Sequence, residues 1–140
     1  AGSASRTDGR VWAMAMRDGL SPEDAVKVGF KNTAFSFSGT APIRAATATA
    51  TIVVRSMRLE GDLPPDAVFA LGIYRNGELV ASGRVFVKSP GTYTATTTPV
   101  DLSPGANYHV EAGINLITRT SAGCRGMVSD AEITEIRWSF

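Results

Sequence analysis

One histidine and one cysteine, His109 and Cys124, are all that this chain offers of the two most reactive side-chain types. A lone thiol cannot close an internal disulfide, so the fold has to rest on its hydrophobic core. Charge of one sign is lacking too: 14 Lys and Arg stand against 13 Asp and Glu, interspersed, for a net of +1, without the basic footprint that nucleic-acid binding needs. No apolar run is long enough to span a bilayer, and the best candidate, residues 45–54, is short and striped with threonine. Also missing are a glycine-rich phosphate loop, a zinc-ligand spacing and the Gly-x-Ser-x-Gly elbow of serine hydrolases. Nucleic-acid binding, membrane insertion, cofactor or metal chemistry and catalysis are thereby left without a carrier in the sequence.

What is present is β-structure. In a chain of 140 residues with 44% hydrophobic and 19% charged residues, one domain with a sizeable core is expected over residues 11–140. Residues 1–10 are small and polar and read as a flexible arm, free or laid on a neighbour. Residues 67–116 organise the rest. Phe69, Leu71 and Ile73 alternate with Ala70, Gly72 and Tyr74, and beyond Asn76-Gly77 a second alternating run follows. A two-residue turn there would pair Tyr74 with Leu79 and set Leu71 against Ser82 and Phe69 against Arg84, mixing apolar with polar. A three-residue loop, Arg75-Asn76-Gly77 with Gly77 left-handed, pairs Ile73 with Leu79, Leu71 with Ala81 and Phe69 with Gly83. That register keeps one face apolar and is the one expected.

Threonines 92, 94, 96 and 98 alternate with Tyr93, Ala95 and Thr97 before Pro99 ends the run, because proline has no ladder donor. After a turn signal at residues 101–105, Tyr108, Val110, Ala112, Ile114 and Leu116 mark a half-buried strand. Leu102, Pro104, Gly105, Tyr108 and Val110 together resemble the L-x-P-G-x-x-Y-x-V corner of fibronectin type III and related immunoglobulin-like domains. Jelly-roll domains of phage and virus particles and sugar-binding modules carry similar turns. The resemblance covers nine residues and implies a sandwich in which the tyrosine hydroxyl ties the strand start back to the preceding loop.

Elsewhere, residues 11–16 are apolar on both faces, which reads as an ordinary core strand or as a strand that docks on a partner. Ser21, Pro22, Glu23 and Asp24 spell a helix start, giving one short helix over residues 22–28. From Thr33 the β-rich body begins. In residues 45–59 the apolar side changes near Val53, which predicts a bulge or a strand shared by two packing environments. Thr134, Ile136, Trp138 and Phe140 are expected to share a face of the closing strand. The fold class is therefore all-β, a two-sheet antiparallel β-sandwich of seven or eight strands, immunoglobulin-like or jelly roll, with one short N-terminal helix. The threonine-rich runs follow from β-propensity on a half-exposed face.

Chemistry-bearing residues are few. His109 and Glu111 lie two apart on one strand and read as a solvated surface pair, since a metal or acid-base site wants a third convergent group. Cys124 has an adjacent Arg125 but no base other than His109, so an inert loop thiol or an intermolecular disulfide is the plainer reading. Glu60, Asp62 and Asp66 surround Pro64-Pro65 and could hold calcium, although they lack an EF-hand spacing and read more plainly as a solvated loop. No catalytic, cofactor or metal residues are assigned. Binding is expected at Trp12, Tyr74, Asp62, Asp66, Arg119 and Arg125, with the loops 60–66 and 119–126 as the places for a partner.

The leading function is a non-enzymatic structural and binding module, a self-associating component of a phage or virus particle or of a cell-surface assembly, extracellular or on the particle surface, in contact with other protein chains as a homo-oligomer. A module that binds cell-surface glycan is the alternative, with Trp12, Tyr74, Tyr93 or Trp138 to stack on sugar. A small hydrolase built from His109, Cys124 and scattered acids is the third.

Overall fold

A computed structural model describes residues 42–117 and 124–140 with their side chains and, before them, the backbone of residues 2–7, 10–17, 25–31 and 35–36. In chain order the strands are β1 (Gly2–Thr7), β2 (Arg10–Arg17), β3 (Ala25–Lys31), β4 (Phe35–Ser36), β5 (Ile43–Glu60), β6 (Asp66–Arg75), β7 (Glu78–Phe86), β8 (Gly91–Thr96), β9 (Val100–Leu102), β10 (Asn107–Ile117) and β11 (Cys124–Ser139). They form two antiparallel sheets. Sheet A runs β1-β2-β11-β5-β8 with β9 beside β5, and sheet B runs β3-β10-β6-β7 with β4 beside β10. The described residues are all-β, as their alternation predicts. Among the described residues no helix is long and apolar enough to cross a membrane.

Alternation builds the shared core. Ala46, Ala48, Ala50, Ile52 and Val54 of β5 turn inward from sheet A, and Phe69, Leu71, Ile73, Val110, Ala112 and Ile114 turn inward from sheet B, into one buried cluster. Each fully buried Phe, Ile or Leu contributes about 1.5–3 kcal/mol. Small alanines in the middle of β5 leave room for the larger side chains opposite, so the sheets can close to native packing density. On the outward side of sheet A, threonine hydroxyls pair across strands, Thr49 with Thr96 at 2.9 Å and Thr51 with Thr94 at 3.2 Å.

Bulges rather than turns set the registers. The β6–β7 hairpin closes with the two-residue Asn76-Gly77 turn, Arg75 opposite Glu78 and Tyr74 opposite Leu79, so the expected three-residue loop is not formed. Asn76 and Gly77 both have positive φ, 48° and 87°, the pairing whose twist suits a hairpin. Apolar matching is recovered one step later. Val80 is left over as a bulge, after which Ile73 meets Ala81, Leu71 meets Gly83 and Phe69 meets Val85. The face change in β5 falls at Arg55, where the register with β11 shifts. On β11 the register shifts at Ser129 and again at Thr134, so Thr134 is an exposed bulge residue that does not share the face of Ile136 and Trp138.

The predicted corner forms. Tyr108 is fully buried, and its hydroxyl accepts a 2.7 Å hydrogen bond from the Ser103 backbone N–H. Within the expected N-terminal arm, Gly2–Thr7 forms β1 and pairs with β2, which itself lies between β1 and β11. Of the helix expected over residues 22–28, residues 22–24 lie outside the described residues. The remainder falls in β3, where Val26, Val28 and Phe30 pair with Leu116, Ile114 and Ala112 of β10.

Candidate functional site

On the outward face of sheet B, pairing sets Tyr74 of β6 opposite His109 of β10, and their rings stack at 5.0 Å with planes 3° apart. The next outward residue of β10, Glu111, has a carboxylate oxygen 3.3 Å from His109 Nε2. Burial, and then the negative charge of Glu111, pushes the Tyr74 phenol above its ordinary pKa. His109 thus touches both the Tyr74 ring and the Glu111 carboxylate. Alternation predicts that His109 and Glu111 share a face; Tyr74 joins them only through the long-range pairing of β6 with β10.

The other expected binding residues are spread over the molecule. Asp62 is exposed in the loop between β5 and β6, Asp66 is half-buried at the start of β6, and Glu60 pairs with Arg58 at 3.3 Å. Among the described residues no three His, Cys, Asp or Glu side chains are gathered to hold a metal. Arg125 is exposed near the start of β11, opposite Glu60. Arg119 lies outside the described residues, as does the side chain of Trp12, whose backbone pairs with Ser5 in β1. Cys124 is 3% exposed in sheet A, while His109 faces outward from sheet B, so the two are not brought together as a thiol and base.

The edges of the sheets differ more than the loops do. On the β7–β8 side the sandwich is sewn shut. The Thr98 N–H donates to the Ser82 carbonyl of β7 (3.1 Å), while the Thr97 N–H donates to the Ala48 carbonyl of β5 (2.9 Å). The Thr97 hydroxyl accepts from the Ala48 N–H at 3.0 Å. Backbones come so close here that a Cβ at Gly83 would collide with the Thr96 carbonyl.

On the other side, β2 begins at Arg10, opposite Glu132, and the described chain turns back into β1. Among the described residues, β11 beyond Glu132 has a strand beside it on the β5 side, and no strand lies on the other side. That open edge ends in a pair of parallel rings, Trp138 and Phe140, with centroids 6.2 Å apart and planes 5° apart. Trp138 and Ile136 pack partly against the core, and Phe140 is 72% exposed. On the outward face of the same stretch, Glu135 and Arg137 pair at 3.4 Å. Sequence reasoning marked Ile136, Trp138 and Phe140 as one face but did not show that, among the described residues, β2 pairs only with the earlier part of β11, because that depends on where β2 starts.

A further anchored corner joins β5 to β9. Asp101 accepts from the Ala45 N–H (2.9 Å) and from Arg44 (3.1 Å), with Ala45 held at a φ of 53°. The hydrogen bond from Ala45, and then Arg44, holds the Asp101 carboxyl below its usual pKa. No family model, curated protein or solved structure matches the chain.

Proposed function

We propose that this chain is a non-catalytic jelly-roll module that associates with copies of itself within a larger particle or cell-surface assembly. The observation that carries this reading is the edge of β11 beyond Glu132, where among the described residues no strand lies on the side away from β5, next to the exposed Phe140 ring. Proteins usually blunt such an edge or cover it, and a strand from another chain covers it well. The strand order supports the jelly-roll assignment: β2, β11, β5 and β8 of sheet A face β3, β10, β6 and β7 of sheet B, four and four, with β1, β9 and β4 added beside them. Fold alone assigns no role, so the edge has to carry the argument.

Native mass by light scattering across a concentration series, with and without reductant, tests the reading. A dimer or larger species is expected, unchanged by reductant because the Cys124 thiol is buried. A monomer at every concentration overturns it.

One observation favours a second reading, glycan binding: the aromatic Tyr74 stands beside the acid Glu111 on one sheet face. His109 already covers one face of the Tyr74 ring, which leaves less of it for a sugar to stack on. Titration with neutral and acidic oligosaccharides, followed by NMR shifts of the Tyr74 and His109 rings, decides this; no shift at millimolar sugar removes the reading.

A further inference from the structure

The geometry points to a metal site on the outward face of sheet B, where Nε2 of His109, the carboxylate of Glu111 and the phenol oxygen of Tyr74 together take one zinc or copper(II) ion. It is independent of the self-association proposed above.

On β10 alone, His109 and Glu111 supply two donors. The third comes from the neighbouring strand, because pairing sets Tyr74 opposite His109 and Gly72 opposite Glu111. Three observations bring the donors together over the Gly72–Glu111 row. The His109 and Tyr74 rings lie parallel, their planes 3° apart and their centroids 5.0 Å apart, so the two side chains run side by side. Tyr74 leans over Gly72: its Cε2, the ring carbon next to the one that bears the oxygen, would lie 3.2 Å from a Cβ built there. His109 Nε2 in turn lies 3.3 Å from Glu111 Oε1. Glycine at position 72 leaves the space that the Tyr74 ring edge and Leu79 fill, with Leu79 as an apolar wall on the β7 side.

The 3.3 Å between Nε2 and Oε1 matches the separation of two donors that bind one ion tetrahedrally at about 2.0–2.1 Å, which is about 3.3–3.4 Å. An imidazole nitrogen with two oxygens suits zinc or copper(II), and it offers too few oxygens for calcium. Electrostatics point the same way. Burial, and then the negative charge of Glu111, holds the Tyr74 phenol protonated, so a positive ion is what the spot favours. When the ion binds, the phenol proton leaves to solvent and the oxygen takes the metal in its place. The His109 and Glu111 side chains are 13% and 39% exposed, so the ion enters from the solvent side and its fourth position is open to water or an outside ligand.

Calorimetric titration of the full chain with zinc alone tests the site, with circular dichroism confirming that each variant folds. One ion per chain is expected to bind. Glu111→Gln, which keeps the shape of the side chain, should weaken binding at least about tenfold, the loss that removing a mere hydrogen-bond partner of a metal ligand already brings. His109→Ala should abolish it. Copper(II) reads the third donor directly: a phenolate-to-copper charge-transfer band in the visible should appear with the unaltered chain and vanish in Tyr74→Phe. No saturable binding at millimolar zinc overturns the site, and binding that survives His109→Ala places the metal elsewhere and overturns it too. Binding without the visible band, and equally tight in Tyr74→Phe, overturns the three-donor arrangement.

Discussion

The two flanks of the sandwich solve the same problem in opposite ways. Where β7 meets β8, the chain crosses between sheets at Thr97 and Thr98 and ties both backbones together, and Gly83 lets them touch. Where β2 stops short of the end of β11, nothing among the described residues ties residues 133–139 on their outer side. One flank is tied across both sheets; along the other, no such tie is found among the described residues. Stability and association should therefore be separable by position.

The largest effect is expected on the sewn flank. Gly83→Ala forces the Thr96 backbone away and breaks the close approach, which should cost about 3 kcal/mol in urea unfolding. An unchanged midpoint would mean that the flank is looser than its hydrogen bonds indicate. Thr97→Val keeps the shape but removes the acceptor of the buried Ala48 N–H, for an expected loss of about 1–3 kcal/mol.

A smaller effect comes from pH. Because the carboxyl of Asp101 titrates lower when folded than when unfolded, its contribution is complete above the ordinary carboxylate range. It is lost as pH falls through the lowered folded value. Asp101→Asn should flatten the acid limb of the stability profile, and an identical limb would remove Asp101 from that role. Smallest of all, Arg137→Ala on the open flank should leave unfolding of the monomer within about 0.5 kcal/mol. A larger loss would show that this edge already serves the fold.

Much of this architecture is legible in the sequence because it is local. Leu102, Pro104, Gly105 and Tyr108 predict a corner whose hydroxyl bond forms as expected, since the turn and the strand start lie within a few residues. The alternation of Phe69, Leu71 and Ile73 predicts a face, and that face is buried. What is not legible is where a strand takes up slack. Apolar matching in the β6–β7 hairpin required an adjustment, and it fell at Val80 in the strand instead of in the turn, because Asn-Gly already has a low-energy two-residue geometry. Thr134 looked like a member of the Ile136 face for the same reason: its bulge is dictated by the partner strand β5. The candidate site was hidden more deeply still. An edge is open only by virtue of where another strand ends, and Tyr74 meets Glu111 only across a sheet.

The paired irregularities in the long β5–β11 ladder have a consequence for how this gene can lengthen or shorten. Arg55 on one strand and Ser129 on the other are each one residue too many, and together they cancel: Val128 faces Met57 before them, and Ala131 faces Val54 after them. Losing either codon alone would turn the rest of that strand inside out, exchanging its core and surface residues. Losing both would leave every later pairing intact, at the cost of the Ser129–Ser56 hydrogen bond and the Arg55–Asp130 ion pair that now hold the irregular step. Length changes in these two distant segments should therefore occur together or not at all.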